Sequence, residues 1–212
     1  MGMKEKQLHQ EIQDRYESEA ASCCSLGCGS TLDVLAIERD EAILDLGCGR
    51  GEETLEAARL AGPRGKAVGL DLTEAMVHKA KENAAKLGVV NAEFLQGDIE
   101  SLPFSDETFD GVMSNCVINH APDKGKVYRE IRRVLKAGGR FVIADAVTKH
   151  PLPQEVKSDP EAWAQCYGGA VTEKEYLDAI EAAGYSQISI LNRREYIKNG
   201  YDFISLTIKA VK

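Results

Sequence analysis

The run AILDLGCGRGEE, Ala42 to Glu53, constrains this chain more than any other stretch. Ala42 to Leu46 reads as a buried strand, and the glycines Gly47, Gly49 and Gly51 follow it at once. Glu53 to Ala61 then carries a helical pattern. Glycines at such a junction let the backbone turn sharply and approach a ligand with no Cβ in the way. Strand, glycine turn and helix make up the first unit of a layered α/β sheet.

The alternation continues along the chain without internal repeats or low-complexity linkers. Ala67 to Leu70 reads as the second strand, and Glu74 to Leu87 as a helix stopped by Gly88. Ala92 to Leu95 and Gly111 to Ser114 are the third and fourth strands. Asp123 to Lys136 is a helix with a buried face at Val127, Ile131, Val134 and Leu135, ended by Gly138 and Gly139, and Arg140 to Ala144 is the fifth strand. Beyond residue 146 the texture changes, and Pro151, Pro153 and Pro160 mark an irregular excursion. Thr172 and Glu175 have capping-box spacing at the start of a helix that ends near Gly184. Gln187 to Leu191 and Phe203 to Val211 form a closing hairpin. The expected fold is α/β, a doubly wound, mostly parallel seven-stranded sheet with a C-terminal antiparallel hairpin. Residues 1–40 are expected to be a helical, cysteine-containing lid segment, 41–146 a cofactor-binding core, and 147–212 a substrate-site excursion with the last helix and hairpin, all in one domain.

With 43% hydrophobic and 28% charged residues, the chain has an ordinary globular composition. It has no apolar run near the roughly 18 residues that span a bilayer, and Met1 to Glu19 lacks the apolar core of a signal peptide. A cytoplasmic location is therefore expected, without a membrane partner. The net charge of −8 and the absence of a basic stripe argue against a nucleic-acid partner. The cysteines are Cys23, Cys24, Cys28, Cys48, Cys116 and Cys166. A reducing compartment disfavours structural disulfides, and their uneven clustering favours metal-like ligation or redox chemistry.

The glycine turn is GxGxG rather than the GxGxxG of dinucleotide binders, with Asp45 ahead of it and Glu52 after it, a poor neighbour for a pyrophosphate. A phosphate-free cofactor with a cationic amino-acid end suits the turn better, because Asp45 can favour its ammonium group. S-adenosylmethionine is such a cofactor. Asp71, ending the second strand, is placed for the ribose hydroxyls; Asp98 for the adenine amino group, with Ile99 packing on the ring. Gly47, Cys48, Gly49, Gly51, Leu72, Met76 and Asn115 complete the expected cofactor set. Taken singly, Asp71 or Asp98 is as readily the cap of a helix or turn.

Together DLGCGRG, GLDLT, GDIESLPF and RVLKAGG, spanning Glu41 to Ala146, resemble the class I S-adenosylmethionine methyltransferases. At a finer level, SNCVINHAPDKGKVYREIRRVLKAGG and the 163–170 segment WAQCYGGA resemble the arsenite methyltransferase family. That resemblance implies trivalent arsenic held by cysteine thiolates facing the sulfonium methyl, with Cys116 and Cys166 matching two arsenic ligands and Cys28 the best counterpart of the third. It also implies that cysteines return two electrons to arsenic while closing a disulfide, with Cys23 and Cys24 as the donors and thioredoxin or glutathione reopening the bond. The chemistry is consistent: arsenic(III) is soft and takes a pyramidal array of sulfurs, and in-line alignment is the main thing the protein must supply. The chain departs from better-known members in holding Cys23, Cys24 and Cys28 within six positions. Which of the three binds arsenic stays open, and the cluster can equally capture arsenic for Cys116 and Cys166.

Other residues carry plainer readings. Cys48 is a small hydrophobe inside the loop. His120 sits at a helix entrance or lid and is not a general base, since methyl transfer to arsenic needs none. Asn115 orients the site or satisfies a turn, Asp145 is a strand-end acceptor, Trp163 a packing anchor or a π face, and Tyr16 part of a helix that closes over the cofactor or merely docks. Two rival functions are a general small-molecule O-, N- or C-methyltransferase and a non-catalytic arsenic-binding protein.

Overall fold

The strand that begins the glycine turn lies inside the sheet in the computed structural model, whose described residues are 10–17 and 31–212. The strands are β1 (Ala42–Leu46), β2 (Lys66–Asp71), β3 (Ala92–Gln96), β4 (Phe109–Asn115), β5 (Leu135–Thr148), β6 (Ser186–Lys198) and β7 (Tyr201–Val211). Their spatial order is β3-β2-β1-β4-β5-β7-β6, parallel from β3 through β5, with β7 antiparallel to both β5 and β6. This is the expected seven-stranded sheet with its antiparallel hairpin. After β3 the chain returns to lay β4 on the other side of β1, so the connections diverge there and a crevice opens at the carboxyl ends of the strands.

Residues 10–17 are helical (α1), followed by α2 (Leu32–Leu35), α3 (Glu52–Ala61), α4 (Glu74–Leu87), α5 (Lys124–Val134), α6 (Gln154–Lys157), α7 (Pro160–Ala164) and α8 (Glu173–Ala182). Central strands are buried on both faces, which is why they read as nearly unbroken apolar runs. On one face Leu44, Leu46, Val112 and Ile143 pack with Val127, Tyr128 and Ile131 of α5 and Tyr176 and Ile180 of α8. On the other Ile43, Ala67, Met113 and Val142 pack with Ala57 and Ala58 of α3. Gly88 ends α4 at φ 66°, its N–H bonded to the carbonyls of Ala84 and Ala85, and Thr172 and Glu175 form the expected capping box on α8.

Several boundaries differ from the sequence reading, and β5 extends at both ends beyond the expected Arg140 to Ala144. α5 ends at Val134, not Lys136, because Leu135 is already extended and begins β5 opposite Phe109. Gly138 and Gly139 therefore do not stop a helix. They lie in a bulge where the β4–β5 register jumps from Phe109–Leu135 to Gly111–Arg140. The hairpin strands are longer than their apolar runs because β6 is exposed along most of its length, which leaves no alternation to read. The hairpin turns at Asn199 and Gly200, with φ of 53° and 81°, the positive pair that a two-residue primed turn requires. Between β5 and α8 the chain runs through α6 and α7, forming the prolyl excursion expected from the sequence.

Candidate functional site

The cavity in the crevice is built from the glycine turn upward. Gly47 adopts φ +71°, and a Cβ on it would stand 2.2 Å from Val117 Cγ2. The N–H groups of Gly47 and Cys48 both donate to Leu70 O, at 2.7 and 3.0 Å, tying the turn to β2. Gly49, at φ +51°, has nothing within 4 Å of where its Cβ would lie, so this stretch of backbone is bare toward the cavity. Its N–H donates to Asp71 Oδ2 at 2.9 Å, and the Thr73 N–H donates to Asp71 Oδ1 at 2.9 Å, fixing that carboxylate at the end of β2. Asp45, Gly47, Cys48, Gly49, Asp71, Leu72, Met76, Asp98, Ile99 and Asn115 all line this cavity. Gly51 does not. A Cβ there would lie 2.7 Å from Phe94 Cε1 and 2.9 Å from Ala80 Cβ, so this glycine serves the seating of α3 against β3 and α4.

The cavity is acidic and partly dry. Asp45 is 3% exposed and accepts a 2.6 Å hydrogen bond from Thr54 Oγ1. Burial, reinforced by the charges of Glu53 and Asp71, pushes its carboxyl up to about 7. Burial raises Asp71 as well, against the backbone N–H groups that favour its ionised form. Glu53, which the sequence reading passed over, adds a third carboxylate. It accepts from Thr31 Oγ1 at 2.9 Å and from Asn115 Nδ2 at 3.4 Å, and burial raises it too. Its signal was the pair of acids immediately after the glycine turn. Carboxylates deprived of water favour a ligand that brings positive charge. Asp98 receives the Glu100 N–H at 2.8 Å, so it also shapes its own turn.

Cys116 stands in the wall of the cavity, and Cys166 lies just outside its lining. Cys116 follows the last residue of β4 with φ +59°, in the left-handed region, and its N–H donates to Ala144 O at 2.8 Å. It is 5% exposed, lines the cavity and is disulfide-bonded. Cys166, just after α7, is also left-handed at φ +63° and carries a free thiol. It is absent from the cavity lining, but its Sγ lies 3.0 Å from Tyr16 Oη and 3.2 Å from His120 Nε2, both of which line it. Tyr16 Oη and His120 Nε2 are 3.1 Å apart, which closes a triangle with the sulfur. Burial pushes the Cys166 thiol up, opposed by the Tyr16 hydrogen bond. Burial, with Arg15 and Lys124 nearby, lowers His120 to about 4 and keeps the imidazole neutral. His120 belongs to a 3-10 turn, Ile118–His120, in the cavity wall, and Asp123, three residues on, caps α5.

α1 lies across both halves of the cavity. Its buried Ile12 lines the cavity, Gln13 Nε2 donates to Leu72 O at 3.2 Å, and Arg15 donates to Ala164 O. Cys48 packs with Leu55, Val77 and Phe94 as a small hydrophobe, and burial raises its thiol. Trp163 is a packing anchor. Its Nε1 donates to Lys157 O at 2.9 Å, and a Cβ on Gly168 or Gly169 would strike it. Asp145 is a buried acceptor inside β5, which runs on to Thr148, so it does not end the strand as expected; it takes bonds from Asn119 Nδ2 at 2.8 Å and Tyr176 Oη at 3.1 Å. Cys23, Cys24 and Cys28 lie outside the described residues. Among the described residues no group of three His, Cys, Asp or Glu side chains is arranged to hold a metal ion.

Sheet order, glycine turn and acidic cavity define a class I S-adenosylmethionine-dependent methyltransferase fold. The family model described as a methyltransferase domain matches residues 37–184. The arsenite methyltransferase of Halobacterium salinarum is 40% identical over 197 residues, covering 88% of this chain and 50% of that protein. The crystal structure of an arsenic(III) S-adenosylmethionine methyltransferase from Chlamydomonas reinhardtii superposes with a TM-score of 0.79 at 30% identity, covering 93% of this chain and 73% of that one. The ubiquinone/menaquinone biosynthesis C-methyltransferase of Escherichia coli is 37% identical over 116 residues, only 54% of this chain. The chain belongs to the arsenite methyltransferase family. It spans about half the length of the curated relatives it matches.

Proposed function

We propose that this chain methylates trivalent arsenic, arsenite and methylarsenite, with S-adenosylmethionine as methyl donor. The observation that carries the reading is the meeting of two chemistries in one crevice. Cys116 lines the same cavity as Asp45, Asp71 and Asp98, and Cys166 is hydrogen-bonded to Tyr16 and His120 of its wall. The cavity suits the cofactor on its own terms, because buried carboxylates gain from a cationic ligand and Gly49 leaves the backbone bare beside them. Bound there, S-adenosylmethionine supplies an electrophilic methyl group. Of the residues that line the cavity, Asp45 and Glu53 would favour its ammonium end, Asp71 would accept from the ribose hydroxyls, and Asp98 would receive the adenine amino group, with Ile99, Leu72 and Met76 as apolar neighbours.

Once thioredoxin or glutathione has opened the Cys116 disulfide by exchange, Cys116 and Cys166 take up the arsenic, with Cys28 as third ligand. At each sulfur an As–S bond replaces an As–O bond, and the thiol proton leaves with the displaced hydroxide as water. The Tyr16 and His120 contacts hold the Cys166 sulfur at the cavity wall. Methylation leaves arsenic formally pentavalent. Two cysteine thiols, with Cys23 and Cys24 as candidates, then return two electrons to it and close a disulfide, which thioredoxin or glutathione reopens by exchange. The cycle's need for reduced thiols fits a cytoplasmic setting.

The test is incubation with methyl-labelled S-adenosylmethionine and a thiol reductant, with and without arsenite. Label is expected in methylarsenicals only when arsenite is present. Cofactor binding with no label transferred to arsenic would defeat the reading.

A further inference from the structure

Lys124 opens α5, yet its side chain turns inward and is 8% exposed. Its Nζ donates to Gly169 O at 2.6 Å and to Ala121 O at 3.3 Å, and stands 5.9 Å from the centroid of the Trp163 ring. Trp163 and Gly169 lie three residues before and three residues after Cys166. Ala121 caps the 3-10 turn that follows Cys116. One ammonium group thus joins the segment behind the first cysteine to both shoulders of the second.

The arrangement is a poor choice for stability alone. Burial lowers the Lys124 ammonium to about 8, against the pull of Asp145, Glu100, Asp123 and Glu175. A buried charge seldom improves on an apolar side chain of similar volume, and a methionine would fill this space without the desolvation. The junction is also tight without it, since a Cβ on Gly169 would come within 2.0 Å of Asn119 O. Packing already brings the two segments together. What the lysine adds is direction: two carbonyls, one on each segment, are aimed at a single nitrogen.

We infer that Lys124 is a positioning residue for the thiol pair, a clamp that sets the Cys166 loop against the turn after Cys116 so that both sulfurs reach one arsenic atom. This rests on the reading of the cavity as an arsenic methylation site. Lys124 touches neither sulfur and acts through the backbone at Gly169 and Ala121.

The experiment compares the full chain with its Lys124→Met and Lys124→Arg variants under a thiol reductant. Arsenite binding is read from the midpoint of quenching of Trp163, the single tryptophan. Cofactor affinity is measured by calorimetry, and the arsenite KM and kcat by label transfer. The methionine variant is expected to weaken arsenite binding and raise its KM by about tenfold or more, within the range that ångström-scale misplacement of a reacting group produces. Its cofactor affinity and kcat should stay within about twofold, and arginine should restore most of the loss. Arsenite binding and KM unchanged in the methionine variant would overturn the clamp, as would an equal loss of cofactor affinity or an arginine variant as impaired as methionine. If the methionine variant does not fold, Lys124→Gln, shorter and uncharged, is judged by the same thresholds. A parent protein that binds arsenite but transfers no methyl would remove the methylation reading while leaving the clamp to be judged on binding. No arsenite binding by the parent would remove both.

Discussion

At the scale of single residues, Cys116 shares a cavity with a group of carboxylates while Cys166 is hydrogen-bonded to its wall, and substitutions should separate the two chemistries. Cys116→Ser and Cys166→Ser are each expected to lower arsenite methylation by roughly 100-fold or more, because serine offers arsenic a hard ligand in place of a soft one. Cofactor affinity, measured by calorimetry, should stay within about twofold in both. Asp71→Ala should do the reverse, since its carboxylate is held at the end of β2 by the N–H groups of Gly49 and Thr73. Loss of a charge-assisted hydrogen-bonding group predicts about a tenfold or greater loss of cofactor affinity. Full turnover in both serine variants, or normal cofactor affinity in the alanine variant, would contradict the division. Much of this was legible in the sequence, because Asp45, Asp71, Asp98 and Cys116 each stand at the end of, or just past, a readable strand. Tyr16 and His120 lie 104 positions apart, and no local pattern announces that they meet at one sulfur. Glu53 was hidden differently, since an acid in the first turn of a helix is common for reasons of the helix dipole alone.

At the scale of elements, the glycine turn is where strand, helix and cavity meet, and its glycines divide the labour. Gly51→Ala would place a methyl against Phe94 and Ala80 at φ +82° and should destabilise the fold by roughly 2–4 kcal/mol. Gly49→Ala meets no atom and keeps a milder strain, so its effect should fall on cofactor binding. Urea midpoints and cofactor affinities for the two variants check this, and a larger stability loss in the Gly49 variant would reverse the assignment. The motif announced all three glycines as one unit, yet only the packing shows which borders the cavity and which a phenyl ring. The same limit explains the end of α5. Val134 and Leu135 are both apolar and both buried, so periodicity carries the helix past the point where β4 captures the backbone. Asn199-Gly200 was a readable hairpin signal, but the exposure of β6 left the strand before it marked only over Gln187 to Leu191.

At the scale of the whole molecule, the buried acids link folding, ligand and pH. The folded protein holds Asp45 at about 7 against an ordinary 3.8, so it binds that proton more tightly than the unfolded chain does. Asp145, raised to about 6, acts in the same sense. The contribution to stability is therefore complete below about pH 4 and is lost as pH rises through about 7. A cationic cofactor favours the ionised carboxylate, so binding near pH 7 should release a proton and tighten as pH increases. Calorimetry in two buffers of different ionisation enthalpy reads that proton directly. Asp45→Asn should diminish the release, and buffer-independent heats in the parent would contradict it. The left-handed backbone at Cys116 and Cys166 bears on the whole chain in another way. Glycine or asparagine fits such positions with less strain than cysteine. A library of this chain selected for thermal stability alone under a thiol reductant, where no disulfide holds Cys116, would drift toward those residues at both positions, and its hardiest members would be well-folded proteins that had discarded both sulfurs.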